Sequence, residues 1–324
     1  MRKIALVLAV LAMLAMLAGC QGKAAGAGEE VQAADKKLSV IASFYAMEDF
    51  AKKIGGDLAE VKNIVPPGVE PHDWEPAAKD IAALEEADVF VYNGAEMEHW
   101  VEDIEESLST GKLVSVEASK GIEIIVHEEH EEDEHEDEEE HEEEEEGHDH
   151  GGVDPHVWLS PALVKTELRN IADGYIKADP DNASVYNQNY DKWAAECDAL
   201  DQEFKDALAP LPNRDVIVAH EAFAYLCASY GLNQEPIEGL SADSEPTPSR
   251  VAEIIDFAKE HEIKVVFFEE LASPKVSESI AEAIGASTDI LSTLEGLSEE
   301  QEAAGDDYFS IMRQNLQSLV KALG

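Results

Sequence analysis

The sequence predicts an α/β fold: two Rossmann-like lobes, each built on a parallel sheet, joined by a long rigid linking helix. Two observations predict it. Short apolar runs alternate with helix-like stretches in both halves of the chain, the pattern of parallel sheets with crossover helices. Between the halves lies a helical stretch of about 27 residues over 182–208, roughly 40 Å long at 1.5 Å per residue.

The elements follow in order. Residues 38–44 read as a buried strand, and 45–55 as a helix ending at Gly55-Gly56. A strand over 61–65 stops at Pro66-Pro67-Gly68. A helix over 76–86, a strand over 88–92 ending at Asn93-Gly94, a helix around 96–109 and a strand over 113–116 complete the first half. Residues 162–178 are helical and precede the long stretch, which ends at Pro210-Leu211-Pro212. The second half repeats the grammar: strands at 215–219 and 264–268, and helices at 221–230, 250–260, 274–284 and 306–323. Ligands of such folds bind in a crevice outside the carboxyl ends of the strands.

The N-terminus adds a second layer of organisation. Arg2 and Lys3 precede a short apolar run over 4–18, then Leu17-Ala18-Gly19-Cys20. A basic start, a short apolar core and small residues describe an export signal and not a membrane-spanning helix. Cys after Ala-Gly resembles a bacterial lipobox, which implies a lipidated Cys20 that tethers the mature chain to the extracytoplasmic face of the cell membrane. The predicted organisation is therefore a lipoprotein signal peptide over 1–19 and a flexible tether over 20–37. An N-terminal lobe over 38–181, a linking helix over 182–209 and a C-terminal lobe over 210–324 follow. Cys197 and Cys227 are the other cysteines, and nothing in the sequence says whether they pair.

The chain carries 23 Lys and Arg against 71 Asp and Glu, a net charge of −48. That excludes a nucleic-acid partner and favours attraction of cations. Residues 127–150 hold 17 of the acids together with His127, His130, His135, His141, His148 and His150. A block with no apolar residue has no core to bury, so it reads as disordered and as a weak, auxiliary metal collector.

Three other histidines carry the main chemistry. His72 lies in the stiff loop Pro66-Pro67-Gly68…Pro71-His72-Asp73…Glu75-Pro76. His156 lies in Asp154-Pro155-His156-Val157-Trp158-Leu159-Ser160-Pro161, just before a helix. His220 follows the strand at 215–219 and opens His220-Glu221-Ala222-Phe223-Ala224-Tyr225. Three neutral imidazoles and one carboxylate make a closed, four-coordinate zinc site. Asp73 and Asp154 neighbour these histidines and are candidates to orient them, or else to cap turns. His99, in a helix beside Trp100, and His261 read as structural or surface residues.

Together with Asp307-Tyr308, Met312 and Asn315-Leu316, these motifs resemble the zinc-specific substrate-binding proteins of bacterial ABC transporters (cluster A-I, or cluster 9), over about residues 38–323. The resemblance implies His72, His156 and His220 as ligands of a transported Zn2+. It also implies a fourth ligand, Asp or Glu, from the loop a dozen or so residues before Tyr308. Glu295 is the candidate there, with Asp289 or water as alternatives. Manganese receptors of the cluster carry Glu where His220 stands, so the three-histidine set points to zinc. The implied partners are an ABC permease with its cytoplasmic ATPase, and the chain is expected to act as a monomer. The alternatives are a receptor for manganese or another divalent metal, and a zinc-binding adhesin or metal-storage lipoprotein. No HExxH and no Ser-His or Cys-His pairing is visible, so the chain is not expected to be an enzyme.

Overall fold

The computed structural model describes residues 37–108, 111–126, 152–240 and 246–324, of which 37–324 form one compact unit. The leader over 1–19, Cys20, nearly all of the 20–37 tether and the six histidines of 127–150 lie outside the described residues.

The first half runs β1 (Leu38–Ala42), α1 (Tyr45–Gly55), β2 (Ala59–Asn63), α2 (Ala78–Glu86), β3 (Val89–Tyr92), α3 (Val101–Ser107) and β4 (Val114–Glu117). Then come α4 (Pro161–Ala178) and the long α5 (Ala183–Leu208). The second half runs β5 (Asp215–Val218), α6 (Ala224–Tyr230), β6 (Asn233–Pro236), α7 (Pro248–Glu260), β7 (Val265–Phe268), α8 (Lys275–Ile284), β8 (Ser287–Ile290), α9 (Glu299–Ala304) and α10 (Tyr308–Leu323). Two four-stranded sheets result, in the orders β2-β1-β3-β4 and β6-β5-β7-β8, and every pairing is parallel. In each sheet the order reverses beside its first strand, which opens a crevice at the carboxyl edge.

The central strands are buried on both faces, and their period-two alternation sorts side chains between two cores. Val40 and Ala42 of β1, and Val89 and Val91 of β3, enter the large core, while Ile41 and Phe90 enter a smaller one with Leu84 and Trp100. Val216, Val218, Val265 and Phe267 of β5 and β7 enter the same large core, and Ile217 and Val266 enter a third with Ile254 and Ile280. One core thus runs from sheet to sheet. Helix α5 contributes Tyr186, Cys197, Leu200, Phe204 and Leu208 to it from a single stripe at helical spacing, and packs on α4, α1, α10 and α6. Gly174 of α4 lets that helix press against Val116 of β4, where an added Cβ would collide.

The structure departs from the sequence expectation at a few elements. Helix α3 starts later than expected because Ala95 and Glu96 take left-handed backbone conformations, φ 51° and 64°, in the turn that follows β3. Strands β6 and β8 and the short α9 are additional. The two strands are polar sheet edges, Asn-Gln-Glu-Pro and Ser-Thr-Asp-Ile, and are defined by pairing with β5 and β7. Cys197 and Cys227 are free thiols, both buried, and burial pushes each up to about 12.

The start of α10 is tied to the first half. Asp307 caps the helix by accepting from the Ser310 backbone N–H at 2.9 Å, and its other oxygen meets Lys53 Nζ of α1 at 2.8 Å. Lys53 is buried, also binds Asp49, and lies over the Trp193 ring of α5 at 4.7 Å. Replacing Asp307 with Ala removes the cap and one of the two anions on a buried cation. It is expected to lower the unfolding free energy by about 1–2 kcal/mol, and Asp307→Asn, which keeps a capping oxygen, by less. Urea unfolding of the two variants checks this, and equal losses would assign the effect to charge alone.

Candidate metal centre

Four loops at the carboxyl edges of the two sheets converge on one point. His72 follows β2 across the stiff Pro66-Pro67-Gly68 turn, in which Gly68 takes φ 75°, and its backbone N–H donates to the Glu70 carboxylate at 3.1 Å. His156 enters just ahead of the 3-10 turn Val157–Leu159 that leads into α4. His220 lies two residues past β5, and Glu295 five past β8. All four side chains are buried, the histidines with no exposed surface at all.

Their donor atoms form a cage. The distances are 3.2 Å for His72 Nε2 to His156 Nε2 and 3.3 Å for His156 Nε2 to His220 Nε2. Glu295 Oε1 lies 3.4 Å from His72 Nε2, 3.3 Å from His156 Nε2 and 3.9 Å from His220 Nε2. All four donors fall within 4.8 Å of one another. With zinc bonds of about 2.0–2.1 Å, the edge of a ligand tetrahedron is about 3.4 Å. Five of the six donor separations, 3.2–3.9 Å, lie close to that edge, and the sixth, His72 to His220, is within 4.8 Å.

Electrostatics fixes which nitrogens face inward. His156 Nδ1 donates to Asp154 at 2.8 Å, and His220 Nδ1 donates to Glu269 at 2.7 Å. A carboxylate on Nδ1 selects the tautomer whose Nε2 lone pair is free to coordinate. With all rings neutral these lone pairs would point at each other and at a carboxylate, an arrangement that a proton or a metal ion relieves. Burial raises the Glu295 carboxyl, but the surrounding histidines outweigh it and hold Glu295 well below the ordinary range, as an anion. Burial lowers His72, which keeps it neutral. Burial also opposes charge on His156, yet Asp154 and Glu295 push it up to about 10, and Glu269 likewise raises His220.

The loops are braced from outside the cage. Asn93, just past β3, donates through Nδ2 to the Pro155 carbonyl at 2.9 Å, one residue before His156. Glu98 in turn accepts from the Asn93 and Gly94 backbone N–H groups. Tyr225 of α6 accepts from the Ile125 N–H and donates to the Asp154 carbonyl. Trp158 Nε1 donates to the Thr293 carbonyl at 2.7 Å, and the Tyr308 hydroxyl donates to the Trp158 carbonyl at 2.8 Å. Asn315 grips Ser292 through both its backbone N–H and its carbonyl.

The structure brings together the four residues singled out as ligands from the sequence. Asp289, the alternative fourth ligand, lies on β8 and pairs with Lys321 at 2.8 Å, away from the cage. Asp154 orients His156, whereas Asp73 is exposed. His261 pairs with Asp215 and stacks on Phe257, and His99 is near Glu75. Glu269 was not anticipated; an acid immediately after the buried strand β7 was the available signal.

A buried cluster of three imidazole nitrogens and one carboxylate oxygen at the carboxyl edges of two parallel sheets has the donor set of a two-lobed α/β metal-binding receptor. Residues 40–322 match the family model described as zinc-uptake complex component A, periplasmic, and the chain belongs to that family, one of solute-binding receptors and not of enzymes. It is 46% identical over 287 residues to the high-affinity zinc uptake system protein ZnuA of Bacillus subtilis, covering 89% of this chain and 88% of the relative. The crystal structure of the metal-dependent lipoprotein YcdH from Bacillus subtilis is similar with a TM-score of 0.75 at 42% identity, covering 89% of this chain and 100% of that one. The Zn(II)-bound ZnuA-like domain of Streptococcus pneumoniae AdcA is similar with a TM-score of 0.74 at 32% identity, covering 89% and 99%.

The raised His156 moves the pH window. The sequence alone suggests that affinity falls below roughly pH 6, where ordinary imidazoles protonate. With the His156 imidazole pushed up to about 10, a metal that binds through its Nε2 would displace a proton, so zinc affinity should keep rising with pH through 6 to 8, by up to about tenfold per unit for each proton released. Zinc titrations across that range check this; an affinity flat above pH 6.5 would contradict it.

Proposed function

We propose that this chain captures Zn2+ outside the cytoplasm and delivers it to an ABC-type importer, with His72, His156, His220 and Glu295 as the ligands. One observation carries the ligand assignment: three imidazole Nε2 atoms and one carboxylate oxygen meet at tetrahedral zinc spacing in a fully buried cage. Three nitrogens and one oxygen suit zinc better than manganese, which prefers more oxygen donors. The function agrees with what the relatives are named for, zinc uptake and zinc binding. Cys20 is the proposed lipid anchor, in keeping with a structural neighbour described as a lipoprotein. Among the described residues no helix is long and apolar enough to cross a membrane.

The cargo enters as an ion and the receptor supplies a desolvated shell for it. Glu295 contributes the single negative charge among the ligands. Asp154 and Glu269 stabilise the two imidazoles they face once those donate to a cation. The continuous core and the ties between the halves oppose a wide hinge opening, so release works through local movement of the ligand loops when the receptor docks on the permease.

Changing His72, His156 or His220 singly to Ala should weaken zinc binding at least about a hundredfold, measured by competition with a chromophoric chelator. Unchanged affinity in all three would remove the proposed site. Deleting residues 127–150 should leave one tight zinc per chain, with only weak additional binding lost. Disappearance of the tight site on deletion would make that segment part of the main site and not an auxiliary.

A further inference from the structure

Glu295 offers the cage one oxygen. The three histidine nitrogens approach Oε1, at 3.4, 3.3 and 3.9 Å. The other oxygen, Oε2, accepts the Thr293 hydroxyl at 3.0 Å. Both residues are buried, and the bond forms across a turn in which Leu294 adopts a left-handed conformation, φ 59°. That conformation is uncommon for a bulky side chain and is kept where the surroundings dictate it. Here they do. The Leu294 N–H donates to Ser292 Oγ at 3.2 Å, Trp158 holds the Thr293 carbonyl, and Asn315 grips Ser292 from both sides. The Tyr45 N–H lies 3.4 Å from the Glu295 carbonyl. The carboxylate is thus fixed in orientation, with one oxygen turned inward and the other already engaged.

A carboxylate binds a cation through one oxygen or through both. Through one, Glu295 completes a tetrahedral N3O shell, the arrangement zinc adopts in closed sites. Through both, the shell becomes five-coordinate and more oxygen-rich, which favours larger, harder cations such as Mn2+. Rotation into the two-oxygen mode would cost the Thr293 bond, a hydrogen bond to a charged acceptor in a buried site.

We propose that Thr293 is a specificity-determining residue: its hydroxyl holds Oε2 of Glu295 out of the metal shell, enforces single-oxygen coordination, and thereby disfavours cations that prefer five or more ligands. The inference rests on the reading that Glu295 and the three histidines hold the metal. Rejection of the wrong ion thus comes from a residue that does not touch the ion, alongside the preference set by the histidines themselves.

The test uses the chain with T293V and T293A, which lack the hydroxyl, and T293S, which retains it. Two readouts are taken: the visible spectrum of the Co2+-loaded protein, which reports coordination number, and the ratio of zinc to manganese affinities from competition titrations. The wild type and T293S should show the strong bands of four-coordinate cobalt. T293V and T293A should show the weaker bands of a five-coordinate ion, with the zinc-to-manganese ratio reduced by about tenfold. Wild-type spectra and ratios in T293V and T293A, or a T293S protein that behaves like them, would overturn the proposal. H220A separates the two levels of the argument. If it leaves the cobalt spectrum and zinc affinity unaltered, the four-ligand site itself fails. If it abolishes both while T293V remains wild-type, only the role of Thr293 fails.

Discussion

The fold holds three buried imidazole nitrogens and a carboxylate oxygen within bonding distance of a common point, where they have little reason to be without a cation. Were all three histidines neutral, lone pairs at 3.2–3.3 Å would repel one another until a proton or a metal ion came between them, and the burial of Glu295 removes the water that would solvate its charge. The arrangement is held against that cost by its surroundings. Asp154 and Glu269 fix the His156 and His220 rings, Asn93 and Tyr225 fix the loop that carries His156, and Trp158 and Asn315 fix the loop that carries Glu295. Rigid bracing of a strained donor set is preorganisation: the protein has arranged the ligands during folding, so little ordering remains when the metal arrives.

Two of these braces, Tyr225 on the Asp154 carbonyl and Trp158 on the Thr293 carbonyl, connect the two halves of the chain. His72 and His156 come from the first half, and His220 and Glu295 from the second. Trp158 is central to the connection. Its carbonyl accepts from Tyr308 of α10, its indole donates to the turn before Glu295, and its ring lies 4.8 Å from Phe44 and 5.2 Å from His156. It is itself part of the large core that takes side chains from both sheets. A receptor that opened by swinging the halves apart would have to expose that core and break these buried hydrogen bonds together, which is costly compared with moving one loop.

Much of this was legible in the sequence, for identifiable reasons. The central strands announce themselves because burial on both faces demands unbroken apolar runs such as Val-Phe-Val at 89–91 and Val-Ile-Val at 216–218. The edge strands β6 and β8 do not, since they are polar and owe their conformation to a neighbour. The three histidines were legible through the loops and motifs that carry them, and Asp154 through its place two residues from His156. Glu269 was not, because 49 residues separate it from His220 and only the pairing of β5 with β7 brings them together. The orientation of Glu295 was likewise hidden. Its place as a ligand follows from the motif, but which oxygen it presents depends on Leu294 having a left-handed backbone, and nothing in the residue type Leu signals that.

The last point bears on how such a receptor distinguishes metals. Ligand types alone narrow the choice to cations that accept nitrogen, a set that includes copper and nickel as well as zinc. Geometry would narrow it further if the four residues are the ligands, because donor separations of 3.2–3.9 Å with one inward oxygen favour a tetrahedral shell. Ions that prefer square or six-coordinate shells must then bind in a shape that does not suit them, or deform loops that Trp158, Asn315 and Asn93 hold in place. Selectivity of this kind depends on the stiffness of the cage. On the proposed ligand set, the hydrogen bonds that stabilise the loops around the site are also what would make a poorly fitting ion bind less well.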